Sequence, residues 1–329
     1  MELYKQFDEA LKIMEEARSI VLAGHKEPDG DSIGSTLGFY TALRENLPHK
    51  EVVPYSYDNV PASLRFLKAS RFIKHELNWF PDLVIGFDYG DFERLGLPQI
   101  VVGGARVITF DHHLESRQQG DVKIIDQSFA STTELVYEFF KAAGWAVSRD
   151  TALCLLTGIM TDTGGFLHNT SARTLKNTGE LLQMGAPLEE VYAEAFIKSP
   201  RVINIWGNLL ERIVKNTEHG YILLAVSYED FKKYGIIADD LQGIVSILGV
   251  VSEVNFAVFL AEHEPGRVKG SFRSEPYKGI DVAQIAKVLG GGGHKYAAGF
   301  SLACTLKEAQ NKVEEAIIQV QKVQTVQKV

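Results

Sequence analysis

Cysteine is nearly absent from this chain: Cys154 and Cys304 are its only two, far apart and both in apolar surroundings. That excludes a disulfide framework and makes a reducing cytoplasm the expected compartment. No apolar run reaches the length of a membrane span. No internal repeat or low-complexity tract is present. An excess of positive charge is also missing, with 34 Lys+Arg against 42 Asp+Glu and a formal net charge of −8. This balance argues against a protein that coats long duplex DNA by charge alone. Small phosphorylated substrates remain open, because a bound cation reverses the local sign. The N-terminal residues, MELYKQFDEALKIMEEA, carry the apolar stripe of an amphipathic helix (Leu3, Phe7, Ala10, Leu11, Met14), not the pattern of a secretory leader.

What is present is ordinary globular composition, 45% apolar and 23% charged. A length of 329 residues suggests two domains, each able to bury a core. In the first half, apolar runs at 20–23, 52–56, 83–87 and 107–110 read as strands alternating with helical patterns. This predicts a mainly parallel sheet with covered faces. Ser131-Thr132-Thr133-Glu134 has capping-box spacing and starts a helix that Gly144 ends. Further helices are expected at 151–160 and 171–184. The domain boundary is expected near 187–200, with a helix at 201–214 as connector. In the second half, strands are expected at 221–226, 255–261, 268–272 and 300–302, and helices at 241–248, 281–289 and 306–323.

The residues that carry chemistry cluster at the ends of the predicted strands. The stretch HKEPDGDSIGS at 25–35 follows the first strand, so His25, Asp29 and Asp31 fall where open α/β sheets place their ligands. One imidazole and two carboxylates form a hard anionic cluster, costly unless a cation sits in it. Equally, Asp29 and Asp31 fit as caps that oppose the dipole of the next helix. The strand at 83–87 ends at Asp88, and that at 107–110 ends at Asp111-His112-His113. Each Asp taken alone reads as a turn or cap. Together they converge, because parallel strands bring their carboxyl ends to one edge. Asp162 ends a buried helix before two glycines; it either joins that edge or simply marks a helix stop.

In the second half, Gly290 to Gly293 followed by His294 need a reason, since four glycines cost conformational entropy and pack nothing. Successive free amides form a concave anion site, with His294 as an added donor. A flexible surface turn is the alternative. Arg273 and Ser274, in SFRS, lie close to the predicted sheet edge, and a guanidinium suits a bidentate phosphate contact or stacking on a base.

HKEPDGDSIGS at 25–35, Asp88, the DHH triplet at 111–113, Asp162 in TDTGGF and GGGGHKYAAGF at 290–300 occur in this order at domain-scale spacing. In these motifs, and over nearly its whole length, the chain resembles the DHH phosphoesterases that carry a DHH-associated C-terminal domain. Within that family it looks most like the stand-alone exonucleases of very short oligonucleotides (nanoRNA), which also remove a phosphate from 3′-phosphoadenosine 5′-phosphate.

The resemblance implies an α/β fold. An N-terminal, mainly parallel-sheet catalytic domain would span 1–186, a linker and connector helix 187–214, and a smaller α/β substrate-binding domain 215–329. The active site would lie in the cleft between the domains. It further implies two divalent metal ions, with the His/Asp donor set favouring Mn²⁺. His25 and Asp29 would hold one ion, Asp31, His112 and Asp162 the other, and Asp88 would bridge. Asp111 would be a ligand or an orienting partner. His113 would contact the phosphate and protonate or stabilise the leaving oxygen; a structural histidine bonded to backbone is the alternative. Arg273, Ser274, Gly291, Gly292, Gly293 and His294 would grip the terminal nucleotide. The expected partners are short single-stranded oligonucleotides or phosphorylated nucleotides, not membranes or long duplex DNA. A homodimer is a compatible assembly. One position departs from the family: Leu167 stands after Phe166 where many relatives have a basic residue. The nearest rival activity is cleavage of cyclic or linear dinucleotides. A rival of another class is an inactive nucleotide-binding regulator, which would not need so complete a set of metal-type residues.

Overall fold

A computed structural model describes residues 2–98, 101, 103–113, 119–241 and 243–326, with only the backbone described at 238, 239, 294 and 323–326. The chain divides into two compact units, Met1–Ile197 and Lys198–Val329.

The first unit is built on five parallel strands: β1 (Ser19–Ala23), β2 (Glu51–Tyr55), β3 (Leu83–Phe87), β4 (Arg106–Asp111) and β5 (Val122–Ile125). They lie in the order β2-β1-β3-β4-β5. The order reverses between β1 and β3, and a doubly wound sheet opens its ligand crevice at such a reversal, outside the carboxyl ends of the strands. Side chains alternate between two covered faces. Ile20, Leu22, Leu83, Ile85, Phe87, Ile108 and Phe110 enter the larger core, while Val21, Ala23, Val84 and Val107 face a smaller one. Phe39 sits at the centre of the larger core, within ring contact of Phe87, Phe110, Phe139, Phe140 and Trp145. The strand β5 was not anticipated, because its four residues, VKII, are too short to show a period.

Helices α1 (Glu2–Glu16), α2 (Gly30–Asn46), α3 (Thr132–Ala142), α4 (Arg149–Asp162) and α5 (Ala172–Gln183) supply the larger core. Ser131 caps α3 as its sequence suggests, accepting from the Glu134 amide at 3.1 Å. The Glu134 carboxylate, however, turns one residue further back and accepts from the Ala130 amide at 2.8 Å, not from that of Ser131. Helices α2 and α4 pack almost backbone to backbone. A Cβ at Gly34 would lie 2.6 Å from the Cys154 carbonyl, and one at Gly158 would lie 2.4 Å from the Thr133 methyl and 2.9 Å from Asp31 Oδ1. Both glycines are therefore required by contact, and the contact brings the end of α4 to the strand ends.

The second unit is a six-stranded sheet in the order β10-β11-β9-β8-β7-β6, with only β7 and β8 parallel. Its strands are β6 (Val214–Asn216), β7 (Tyr221–Val226), β8 (Phe256–Glu264), β9 (Arg267–Ser274), β10 (Gly292–His294) and β11 (Ala297–Leu302). Ile222, Leu224 and Val226 face one core and Tyr221, Phe256 and Val258 the other. The helix expected at 201–214 ends earlier, as Pro200–Leu210. Its Val202, Ile205, Trp206 and Leu209 belong to the second unit's core, which makes it part of that unit. The expected 241–248 helix is broken: a short turn, Ala238–Leu241, precedes the helix Ile244–Gly249, and Gly243 at φ +89° starts the latter. A short helix, Tyr228–Tyr234, capped by Ser227 and Asp230, was not anticipated.

Substituting Gly34→Ala places a methyl group against a backbone carbonyl that has no rotamer with which to retreat. We expect a loss of about 1–3 kcal/mol, the usual cost of overpacking, read as a lower midpoint in thermal unfolding. A midpoint equal to that of the native chain would show that the α2–α4 contact is looser than described.

Candidate active site

The strand ends do converge. Asp29 caps α2, its Oδ1 accepting from the amides of Asp31 (3.1 Å) and Ser32 (3.0 Å). It also lies within ligand-sharing distance of His25 and Asp88, so capping and cation binding are compatible roles. His25 is buried; its amide donates to Ser32 Oγ at 3.0 Å, and its Nδ1 lies 2.7 Å from the Lys26 carbonyl. A carbonyl only accepts, so Nδ1 carries a proton and Nε2 is the nitrogen turned inward, able to hold a second proton or, once that proton is lost, to offer a lone pair to a cation. Nε2 faces Asp29 at 3.6 Å and Asp88 Oδ2 at 3.5 Å.

His112 follows the same logic on the other side. Its Nδ1 lies 3.4 Å from the Phe129 carbonyl. Its Nε2 faces Asp162 Oδ2 at 3.3 Å, Asp88 Oδ1 at 3.8 Å and Asp31 Oδ2 at 3.9 Å. The ligand atoms fall into three overlapping groups: His25, Asp29 and Asp88; Asp31, His112 and Asp162; and Asp88, His112 and His113. Asp88 shows one oxygen to each side. It stands just past β3 with φ +53°, a left-handed backbone that costs a non-glycine residue and is held by its surroundings.

Asp111 is fully buried, and its carboxylate is occupied by neighbours. Oδ1 accepts from the His113 amide (2.9 Å) and from His113 Nδ1 (2.7 Å), and Oδ2 accepts from the Gly90 amide (2.9 Å). Of its two expected roles, the geometry favours orienting His113 over ligating an ion. His113 is the more exposed of the two histidines, and its Nδ1 also lies 3.2 Å from Asp88 Oδ1.

Asp31 accepts from the Thr132 amide (2.7 Å), the Thr133 amide (2.8 Å) and Thr133 Oγ1 (2.7 Å). These donors form the N-terminus of α3 and favour a charged carboxylate. Burial acts in the opposite direction and, joined by Asp88 and Asp162, holds Asp31 well above the ordinary carboxylate range when no cation is present. Burial likewise opposes charge on His25, but Asp29 and Asp88 outweigh it and push the imidazole up to about 10. His113 is raised for the same reason, by Asp111 and Asp88 against burial. Protons thus stand among these carboxylates where cations would. Neither Asp31 nor Asp88 has a lysine or arginine partner among the described residues, and the Nε2 atoms of His25 and His112 point toward them. Hard oxygen donors mixed with imidazole, without thiolate, fit a divalent cation.

The second-unit candidates are described within that unit. Arg273 lies on β9, an interior strand and not a sheet edge, paired with Ala257 and Ala297. Ser274, expected to touch substrate, is fully buried, and its hydroxyl donates to the Asn255 carbonyl at 2.9 Å. The glycines do not form an open loop of free amides. The Gly290 and Gly291 amides bond to Lys287 (3.0 Å) and Ala286 (2.8 Å), closing the helix Val282–Val288. Gly292, Gly293 and His294 pair with β11. A Cβ on Gly291 would lie 2.1 Å from the Gly299 carbonyl, and Gly293 adopts φ +136°. Gly292 is exposed, and a Cβ there would meet nothing within 4 Å, so packing does not demand it. The His294 side chain lies outside the described residues. Leu167, at the position that departs from the family, is 66% exposed.

Sequence reasoning did not find Phe129, Thr132 and Thr133 as partners of the site. The signal was the capping motif itself, which was read only as a helix start.

Residues 19–159 match the DHH family, N-terminal domain, and residues 220–323 match the DHHA1 domain. The bifunctional oligoribonuclease and PAP phosphatase NrnA of Bacillus subtilis is 31% identical over 288 residues, 86% of this chain and 89% of that protein. The protein of the same name from Thermus thermophilus is 33% identical over 314 residues, 94% of this chain and 91% of that one. A crystal structure of an exopolyphosphatase-related protein from Bacteroides fragilis superposes with a TM-score of 0.85 at 27% identity, covering 97% of each chain.

If cations occupy these groups, His25 must give up the extra proton it holds at neutral pH. Adding Mn²⁺ to metal-free protein at pH 7 should therefore release on the order of one proton or more per chain. Calorimetric titration in buffers of different ionisation enthalpy measures this. Binding heats that do not depend on the buffer would rule out the protonated cluster.

Proposed function

The chain belongs to the DHH family, and we propose that it hydrolyses short oligonucleotides to mononucleotides and 3′-phosphoadenosine 5′-phosphate to AMP. The observation that carries this reading is the run of overlapping ligand groups: Asp88 is grouped with His25 and Asp29 on one side and with His112 on the other, and His112 is grouped in turn with Asp31 and Asp162. The relatives named as oligoribonucleases and PAP phosphatases support the choice of substrates.

In this reading His25 and Asp29 would hold one cation and Asp31, His112 and Asp162 a second, with Asp88 available to both. Manganese suits a His/Asp set without cysteine. Two divalent cations supply Lewis-acid neutralisation of the phosphate oxygens and an activated water. The protein's part is to hold the donors at fixed spacing and to move a proton. Lys26 and Phe129 carbonyls hold the tautomers of His25 and His112. Asp111 holds His113 by Nδ1 and so fixes the ring, whose Nε2 would donate to the oxygen that leaves phosphorus. In the second unit, Arg273 offers a planar fork to phosphate. Exposed Gly292 lets the terminal nucleotide approach the backbone of β10, which explains a glycine that packing does not require.

The test is turnover of a linear dinucleotide and of 3′-phosphoadenosine 5′-phosphate with added Mn²⁺, alongside Asp88→Ala. The native chain should cleave both. The variant should lose bound metal and nearly all activity while keeping its fold. A native chain inert on both substrates, or an Asp88→Ala variant that still holds two ions, would refute the assignment.

His113→Ala should leave metal content near normal and lower the rate about 10²–10⁴-fold, the usual worth of a general acid. Esters with good leaving groups should lose much less, since they need little protonation. Equal losses across leaving groups would instead assign His113 to phosphate binding.

A further inference from the structure

The segment 128–134 contributes none of the proposed cation ligands, yet it touches three of them. The Phe129 carbonyl faces His112 Nδ1 at 3.4 Å. The amides of Thr132 and Thr133 donate to the two oxygens of Asp31 at 2.7 and 2.8 Å. Thr132 Oγ1 donates to Asp88 Oδ1 at 3.3 Å. His112, Asp31 and Asp88 follow three different strands, so one short stretch sets the orientation of side chains from three parts of the sheet.

What holds the stretch is a buried charge. Glu134 is fully buried. Its Oε2 accepts from the Ala130 amide at 2.8 Å and from Thr174 Oγ1 at 3.2 Å. Its Oε1 accepts from Asn177 Nδ2 at 3.2 Å and faces Arg173 Nε at 3.4 Å. Arg173, near the start of α5, does more than balance this charge. Its guanidinium lies 3.6 Å from the centre of the Phe129 ring. Its Nη2 donates to the Ser128 carbonyl and, at 3.3 Å, to Ser128 Oγ. One planar fork therefore grips Ser128, Phe129 and Glu134 together, which a lysine ammonium, a single point charge, does not reproduce. Starting α3 needs only the Ser131 hydroxyl. A buried carboxylate is a costly way to add stability, but it is a good way to hold a backbone in one register.

We propose that Arg173 is a positioning residue for the cation centre: through Glu134 and the 128–133 segment it keeps the Phe129 carbonyl on His112 and the α3 amides on Asp31. This inference rests on the metal-dependent reading given above. Partners that orient metal-binding imidazoles and carboxylates are typically worth 10–100-fold in metal affinity or activity.

The test uses the full chain and two variants, Arg173→Lys and Arg173→Ala. Mn²⁺ affinity is measured by competition with a chelating indicator, Co²⁺ absorption reports coordination geometry, and thermal unfolding is followed without metal. Arg173→Lys should weaken Mn²⁺ binding about 10–100-fold, change the Co²⁺ spectrum and lower kcat more than it raises KM. Guanidinium salt, far below denaturing concentration, should restore part of the affinity to Arg173→Ala. If Arg173→Ala does not fold, Arg173→Lys, which keeps a cation against Glu134, carries the same comparison. A native affinity and Co²⁺ spectrum in Arg173→Lys, with only a lower metal-free melting point, would overturn the proposal and leave Arg173 a stability residue. A native chain that binds no Mn²⁺ would instead overturn the functional reading on which it rests.

Discussion

Mutual repulsion between buried carboxylates is the constraint on which the first unit depends. Asp31 and Asp88 are almost wholly removed from water, and neither meets a lysine or arginine among the described residues. Such an arrangement survives only if something else supplies positive charge. In the metal-free state all three titratable partners are pushed toward their protonated forms, Asp31 by burial together with Asp88 and Asp162, and His25 and His113 by their neighbouring carboxylates against burial. The same geometry suits divalent cations, because the imidazoles of His25 and His112 are fixed with Nε2 inward and stand on opposite sides of Asp88.

The parallel sheet solves this problem by placement. Strands β1, β3 and β4 end at one edge, and the order reversal beside β1 opens a space there. Asp162 reaches the same space from a helix, which requires α4 to lie unusually close to α2. Gly34 and Gly158 make that approach sterically allowed. The N-terminus of α3 then faces Asp31 with two amides and a hydroxyl. The small residues in α2 and α4 thus belong to the chemistry as much as to the packing: side chains at those positions would move the ligands apart.

The second unit uses glycine for a different end. Gly291 and Gly293 are needed because β10 and β11 approach closely, while Gly292 is left bare and exposed. A run that reads as a cradle of free amides, or else a flexible turn, ends in an ordered edge strand with one exposed position that packing does not demand. Arg273 is likewise held on an interior strand, where its backbone is paired on both sides.

Much of this was legible in the amino-acid order alone. Alternating apolar runs and helical patterns specify the parallel sheet of the first unit, and a parallel sheet must carry its carboxyl ends on one edge. His25, Asp29, Asp88 and the triplet from Asp111 to His113 could therefore be placed together before any coordinates were known, as could the family to which their spacing belongs. Local chemistry also determined the caps at Asp29 and Ser131. Tertiary structure alone decided the rest, because hydrogen bonds between distant segments leave no period in a sequence. It turned Glu134 from a capping-box residue into part of a buried network, placed the Asp111 carboxylate against His113, and spent the Ser274 hydroxyl on a backbone carbonyl. Partners such as Asp31 and Thr133 are 102 positions apart, and only the packing of α2 against α4 and α3 brings them within 2.7 Å.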